Sequence, residues 1–240
     1  YEAALISSSL GNTIDILHNP TTDFSAGDIV TITVTANDVN GNTLTEIWRF
    51  SIVDTYNLFS RFNTGIVEAN PFLNISDSGQ YPVDGGSGND HRYIIRFNTP
   101  LPTDGILFSA TLHLGVCPSS TEVPDADVAC YRLNADSTYD EANWTWRHSS
   151  PIETPWTQPG ADGVPADRAA TPGSTVNVPS TTPAYSYVYG DASDLVSDWD
   201  GGADNYGILC TTTSTTALSL CGEFSNAPPF IEIVYGPPLP

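Results

Sequence analysis

Lysine and methionine are both missing from the chain, and seven arginines are its only strong bases. Against 28 carboxylates they leave a formal net charge of −21. A nucleic-acid partner calls for a basic stripe to meet its phosphates, and none exists here. The same shortage argues against docking on an anionic membrane. No apolar run approaches the ~18 residues of a membrane-spanning helix, so no membrane insertion is expected. No signal peptide is visible, and a chain that opens at Tyr1 without methionine reads as a processed or trimmed product.

Catalytic signatures are missing as well. There is no GxSxG, no HExxH and no phosphate-binding loop of the GxxxxGK type. His18, His91, His113 and His148 are scattered without ligand spacing, and His113, in an apolar strand, reads as a satisfied structural residue. Asp140 and Glu141 are neighbours, but adjacent strand residues point to opposite faces, which disfavours an acid–base pair. The glycine-rich DGGSGND at 84–90 precedes a strand, not a helix, and reads as a turn. The expectation is a protein that is not an enzyme and needs no organic cofactor.

What is present favours strands. Hydrophobic residues make up 40%, enough for a real core, while Gly and Pro number 19 each among abundant Thr and Ser. That mixture builds short strands and tight turns. The cysteines Cys117, Cys130, Cys210 and Cys221 lack the CxxC spacing of metal sites. Each successive pair flanks what reads as a hairpin, so bridges Cys117–Cys130 and Cys210–Cys221 are expected. Sequence leaves the other two pairings open. Disulfides place the protein outside the cytosol, extracellular or on a cell surface. Asn74 (NIS) and Asn143 (NWT) match the N-glycosylation pattern.

Residues 28–36, DIVTITVTA, alternate: Val30, Ile32, Val34 and Ala36 face one way and three threonines the other. Asn40-Gly41 signals a tight turn, and the chain returns through Trp48, Phe50 and Ile52 on one face. Residues 12–18 and 3–8 supply one or two further strands. Residues 54–80 read as irregular. HRYIIRF, ILFSATLHLGV and VACYRL read as strands, 157–184 as a long loop, YSYVYGD as a strand and ASDLVSDWDGG as a short helical turn. NYGILCTTT and ALSLCGEF read as a hairpin, PFIEIVYG as the last strand, and PPLP as a stiff tail.

The stretch FSAGDIVTITVTANDVNGN followed by WRFSI resembles the C-terminal part of a bacterial immunoglobulin-like domain. Such a sandwich takes about seven strands, and residues 1–53 offer about four. An apolar face holding Trp48, Phe50 and Ile52 therefore needs a cover: preceding chain, the second domain, or another molecule. Further on, RYIIRFNTPLPTDGILFSATLHLGV, CYRLNADSTYDEANWTWRHSSPIETPWTQPGADG, DASDLVSDWDGGADNYGILC and PPFIEIVY occur in an order similar to the DNRLRE, or disaggregatase-related, β-sandwich family. The resemblance covers roughly 54–236. It implies a jelly-roll of two packed antiparallel sheets in a large secreted or surface protein, with some members binding carbohydrate. The expected fold is thus all-β: a small, partial immunoglobulin-like β-sandwich at 1–53, then a larger jelly-roll β-sandwich at 54–240.

In that resemblance Glu141, Thr145, Trp146 and Trp156 match a pattern that closes the sandwich, which makes Trp146 and Trp156 packing residues. Trp144 has the opposite strand parity and is the candidate for stacking on a sugar. Asp198, Asp200, Asp204 and Asn205, in DWDGGADN, suit a hard cation such as Ca2+; Asp125 with Asp127 and Asp84 with Asp90 are weaker candidates. Two functions compete. One is a non-catalytic extracellular structural protein, a fibre or filament subunit or adhesin stalk that self-associates, or meets neighbouring domains, through its incomplete N-terminal sandwich. The other is a carbohydrate-binding module for a neutral glycan.

Overall fold

Alternation of apolar and polar residues, interrupted by Gly and Pro, sets the architecture: thirteen strands and one helix in a computed structural model that describes residues 24–37, 40–71, 73–76, 78–86, 89–98, 101, 105–119, 123–134 and 155–237. The chain divides into two units, Tyr1–Asp54 with Gly236–Pro240, and Thr55–Tyr235. In the first, β1 (Ile29–Asn37) and β2 (Thr43–Ser51) form a two-stranded antiparallel sheet. Gly41 sits at φ +83° in the connection, a conformation that favours glycine.

The second unit is an antiparallel β-sandwich. Its strands are β3 (Asp54–Val67), β4 (Asn74–Ser76), β5 (Gln80–Val83), β6 (His91–Phe97), β7 (Ile106–Val116), β8 (Ala126–Arg132), β9 (Ser174–Val178), β10 (Ser186–Asp191), β11 (Ile208–Thr212), β12 (Leu218–Cys221) and β13 (Phe230–Gly236). They follow the order β5-β12-β7-β13-β3-β6-β11-β8-β9, with β10 added to β7 and β4 to β3. The all-β expectation holds. Between the layers lies a core that includes Val83, Tyr93, Ile95, Phe97, Leu112, Leu114, Val128, Val176, Ile208, Ile231 and Ile233. Helix α1 (Ser193–Asp200) contributes Leu195, Val196 and Trp199 to it.

A second, smaller core explains the unbroken apolar run of β6. Tyr93 and Ile95 face the main core, while Ile94 packs outward with Ile66, Leu133, Leu209, Ala161 and Trp156. Trp156 is buried, as the packing assignment requires. Its loop is fastened by Asp167, whose carboxylate accepts backbone N–H bonds from Thr157 (2.8 Å), Gln158 (3.0 Å) and Gly163 (2.8 Å). Arg92 donates to the Gly160 carbonyl at 2.6 Å and pairs with Asp162 at 2.9 Å. The Arg168 guanidinium lies 4.0 Å from the centre of the Tyr131 ring.

Three local expectations are corrected. Residues 54–67 are not irregular but the longest strand, β3. Its alternation is hidden because Phe59 and Tyr56 face solvent while Asn63 and Thr64 are buried. Ser174–Val178, expected in a long loop, is the edge strand β9, with Ser174, Val176 and Val178 inward and Thr175 and Asn177 outward. And β11 does not form a hairpin with β12: β11 pairs with β6 and β8, whereas β12 pairs with β5 and β7.

Candidate functional site

The N-terminal hairpin carries its apolar residues in the open. Register places Ile32 opposite Trp48 and Val30 opposite Phe50, and directly opposed residues share a face. Leu44 lies on the same face of β2, and Glu46, opposite Val34, is the charge that interrupts it. Trp48 is 53% and Leu44 61% exposed, and Phe50 and Ile32 are open as well. Ile52 lies just past β2, half-buried rather than exposed, and its backbone continues the ladder: its N–H donates to Asp28 O at 2.8 Å and its carbonyl accepts from Gly27 at 2.9 Å. Among the described residues the sheet has two strands.

The sandwich unit presents a second group of rings, of which Phe59, Tyr187 and Tyr189 are exposed and His113 and Phe230 half-buried. Antiparallel pairing sets Tyr189 opposite His113 on β10 and β7. The His113 ring stacks on Phe230 of β13 at 4.2 Å and 8°. Tyr187 meets Phe230 edge-on at 5.3 Å, and Phe59 of β3 lies 5.9 Å from the same ring. Tyr189 is 69% exposed. Burial lowers the pKa of His113 below its ordinary value, with Glu232 partly opposing the shift. His113 Nε2 has no hydrogen-bond partner among the described residues, so it is structural but not satisfied. Sequence reading missed this surface because its members come from four strands distant in the chain.

The carboxylates marked for calcium have protein partners. Asp198 pairs with Arg132 at 2.9 Å, Asp200 accepts from the Tyr235 hydroxyl at 3.4 Å, and Asp204 from the Tyr206 hydroxyl at 2.9 Å. Asn205 accepts from Gly207 N–H at 3.1 Å. Asp84 sits 3.0 Å from His91, Asp90 3.5 Å from Arg92, and Asp125 and Asp127 accept from Ser180 N–H and the Asn177 amide. Among the described residues no three His, Cys, Asp or Glu side chains group as a metal site. Trp144, Trp146 and Asn143 lie outside the described residues; Asn74 opens β4, its backbone opposite Ile66.

The cysteine pairing is corrected. The bridge is Cys117–Cys221, not Cys117–Cys130 or Cys210–Cys221. Both expected bridges assumed that consecutive strands pair. Here β7 and β8 pair with other strands, as do β11 and β12, so the cysteines expected to bond lie on strands that are not neighbours. Cys117, just past β7, meets the end of β12, where its N–H donates to Ser219 O at 2.9 Å. Cys130 and Cys210 are buried thiols with sulfurs 2.8 Å apart. No protein-family model matches the chain. No curated protein matches it either.

Proposed function

We propose that the chain is a non-catalytic extracellular structural subunit that self-associates through the face and edges of its N-terminal hairpin, another copy supplying the cover. The observation that supports this is that, among the described residues, the sheet has two strands and Ile32, Leu44, Trp48 and Phe50 lie in the open. An isolated two-stranded sheet is marginal in water, and three or more strands with a packed face are needed for independent stability. Covering each large apolar side chain is worth about 1.5–3 kcal/mol. A free edge accepts a strand from a neighbour with full backbone hydrogen bonding. The Cys117–Cys221 bridge fits a secreted protein, and no described helix is long and apolar enough to cross a membrane.

Light scattering and electron microscopy of the purified protein test the reading. Oligomers or filaments are expected, and Trp48→Glu should return them to monomers while the sandwich unit stays folded. A chain that stays monomeric at high concentration defeats it.

A second reading, a carbohydrate-binding module for a neutral glycan, draws on the rings of Tyr189, Tyr187, His113, Phe230 and Phe59. Exposed rings offer faces to sugar C–H groups, and a net charge of −21 repels anionic polysaccharides. Here the protein is monomeric, and glycan affinity is lost in Tyr189→Ala. Retention in that variant with loss in Trp144→Ala moves the platform to Trp144.

A further inference from the structure

We propose that Cys130 and Cys210 form a second disulfide in the secreted protein, so that each layer of the sandwich carries its own cross-link. The two residues are register partners on β8 and β11. Leu133 N–H donates to Gly207 O at 3.0 Å, which makes 133 and 207 a hydrogen-bonded pair. Bonded and non-bonded pairs alternate along antiparallel strands, so 130 and 210 form a non-bonded pair. At such pairs the Cα atoms lie about 4.5 Å apart and the side chains approach most closely. That separation falls within the ~4.4–6.8 Å span of a disulfide. Both side chains point into the main core between Val128 and Ile208, and the sulfurs already lie 2.8 Å apart.

Burial also fixes when the bond forms. Both residues are fully buried, so no oxidant reaches either sulfur once the sandwich has closed. Desolvation raises the Cys210 thiol well above the ordinary range, and the neighbouring Cys130 adds to this, which removes the reactive thiolate from the folded state. Oxidation therefore precedes closure. The oxidant is a disulfide of an extracytoplasmic thiol oxidoreductase or a small disulfide. In the open chain one cysteine thiolate attacks it, breaking its S–S bond and forming a mixed disulfide. The other cysteine thiolate then attacks the bonded cysteine sulfur and expels the second thiol. Cys130 and Cys210 lose two electrons and two protons, and the oxidant becomes a dithiol or two thiols.

The test is a disulfide map of the full chain secreted through an oxidising compartment. Free thiols are alkylated with a maleimide during unfolding in denaturant at near-neutral pH without reductant. The chain is then acidified and cut with pepsin, because trypsin, cutting after arginine, leaves Cys117 with Cys130 on 97–132 and Cys210 with Cys221 on 169–240. The expected map contains Cys130–Cys210 beside Cys117–Cys221, in a chain four hydrogens lighter than its reduced form. Alkylated Cys130 and Cys210, or either one bonded to Cys117 or Cys221, overturns the proposal. A Cys117→Ala/Cys221→Ala variant should still yield the Cys130–Cys210 peptide; if it fails to fold, the wild-type map decides alone.

Discussion

Asp167 shows how one side chain can hold a loop that carries a core residue. Buried, and accepting three backbone N–H bonds, it fastens the 157–163 turn beneath which Trp156 packs. In Asp167→Ala those donors lose their acceptor, at about 1–3 kcal/mol each before water replaces part of the loss. The expected net cost is about 3 kcal/mol, read as a fall in thermal midpoint of roughly 6–12 °C. His113 yields a pH prediction. Its folded pKa lies below the ordinary 6.5, so as pH falls the unfolded chain takes the proton first. The stability tied to the neutral ring is complete above about 6.5 and drains away as pH drops toward and through the folded value. His113→Phe keeps a ring on Phe230 and removes the titration, so unfolding free energy measured by denaturant titration should vary less with pH in that acid window. Trp156 was legible from the sequence as a packing residue. Asp167 was not, because a lone aspartate in a Gly/Pro-rich stretch looks like any solvated turn acid.

Strands were easier to find than their partners. The β1–β2 hairpin, β7, β10 and β13 could be read from alternation and β6 from its apolar run, and Asn40-Gly41 marked where the hairpin reverses. Pairing beyond a tight turn could not, because a strand records which faces are apolar but not which neighbour covers its edge. Where successive strands enter different layers, nearest-in-sequence pairing fails, and the expected Cys117–Cys130 and Cys210–Cys221 bridges failed with it. β9 was missed for a related reason: STVNV alternates, but five residues inside a Pro-rich run carry a weak signal. The actual bridge spans 104 residues and ties the end of β7 to that of β12. A cross-link closing so long a loop chiefly restricts the unfolded chain. Cys117→Ala/Cys221→Ala should lower stability by roughly 2–5 kcal/mol, measured by urea unfolding, with little change in the native far-ultraviolet spectrum.

At the scale of the molecule, charge and the exposed hairpin act in opposite directions. Copies carrying −21 repel one another, while Trp48, Phe50, Ile32 and Leu44 draw them together by leaving water. Repulsion acts across solvent and is screened: the Debye length falls from about 10 Å at 0.1 M salt to about 3 Å at 1 M. Apolar contact is short-ranged and escapes that screening. Self-association through the hairpin should therefore strengthen as sodium chloride rises, whereas association built on ion pairs weakens over the same range. Removing one buried aromatic anchor forfeits about 1.5–3 kcal/mol, which is roughly 10- to 100-fold in affinity. Trp48→Glu should thus shift the sedimentation-velocity midpoint of assembly upward in protein concentration by at least about tenfold at every salt concentration. If assembly instead dissolves in salt, or Trp48→Glu leaves its midpoint unmoved, the copies are joined by charged surfaces elsewhere and the hairpin is not the contact.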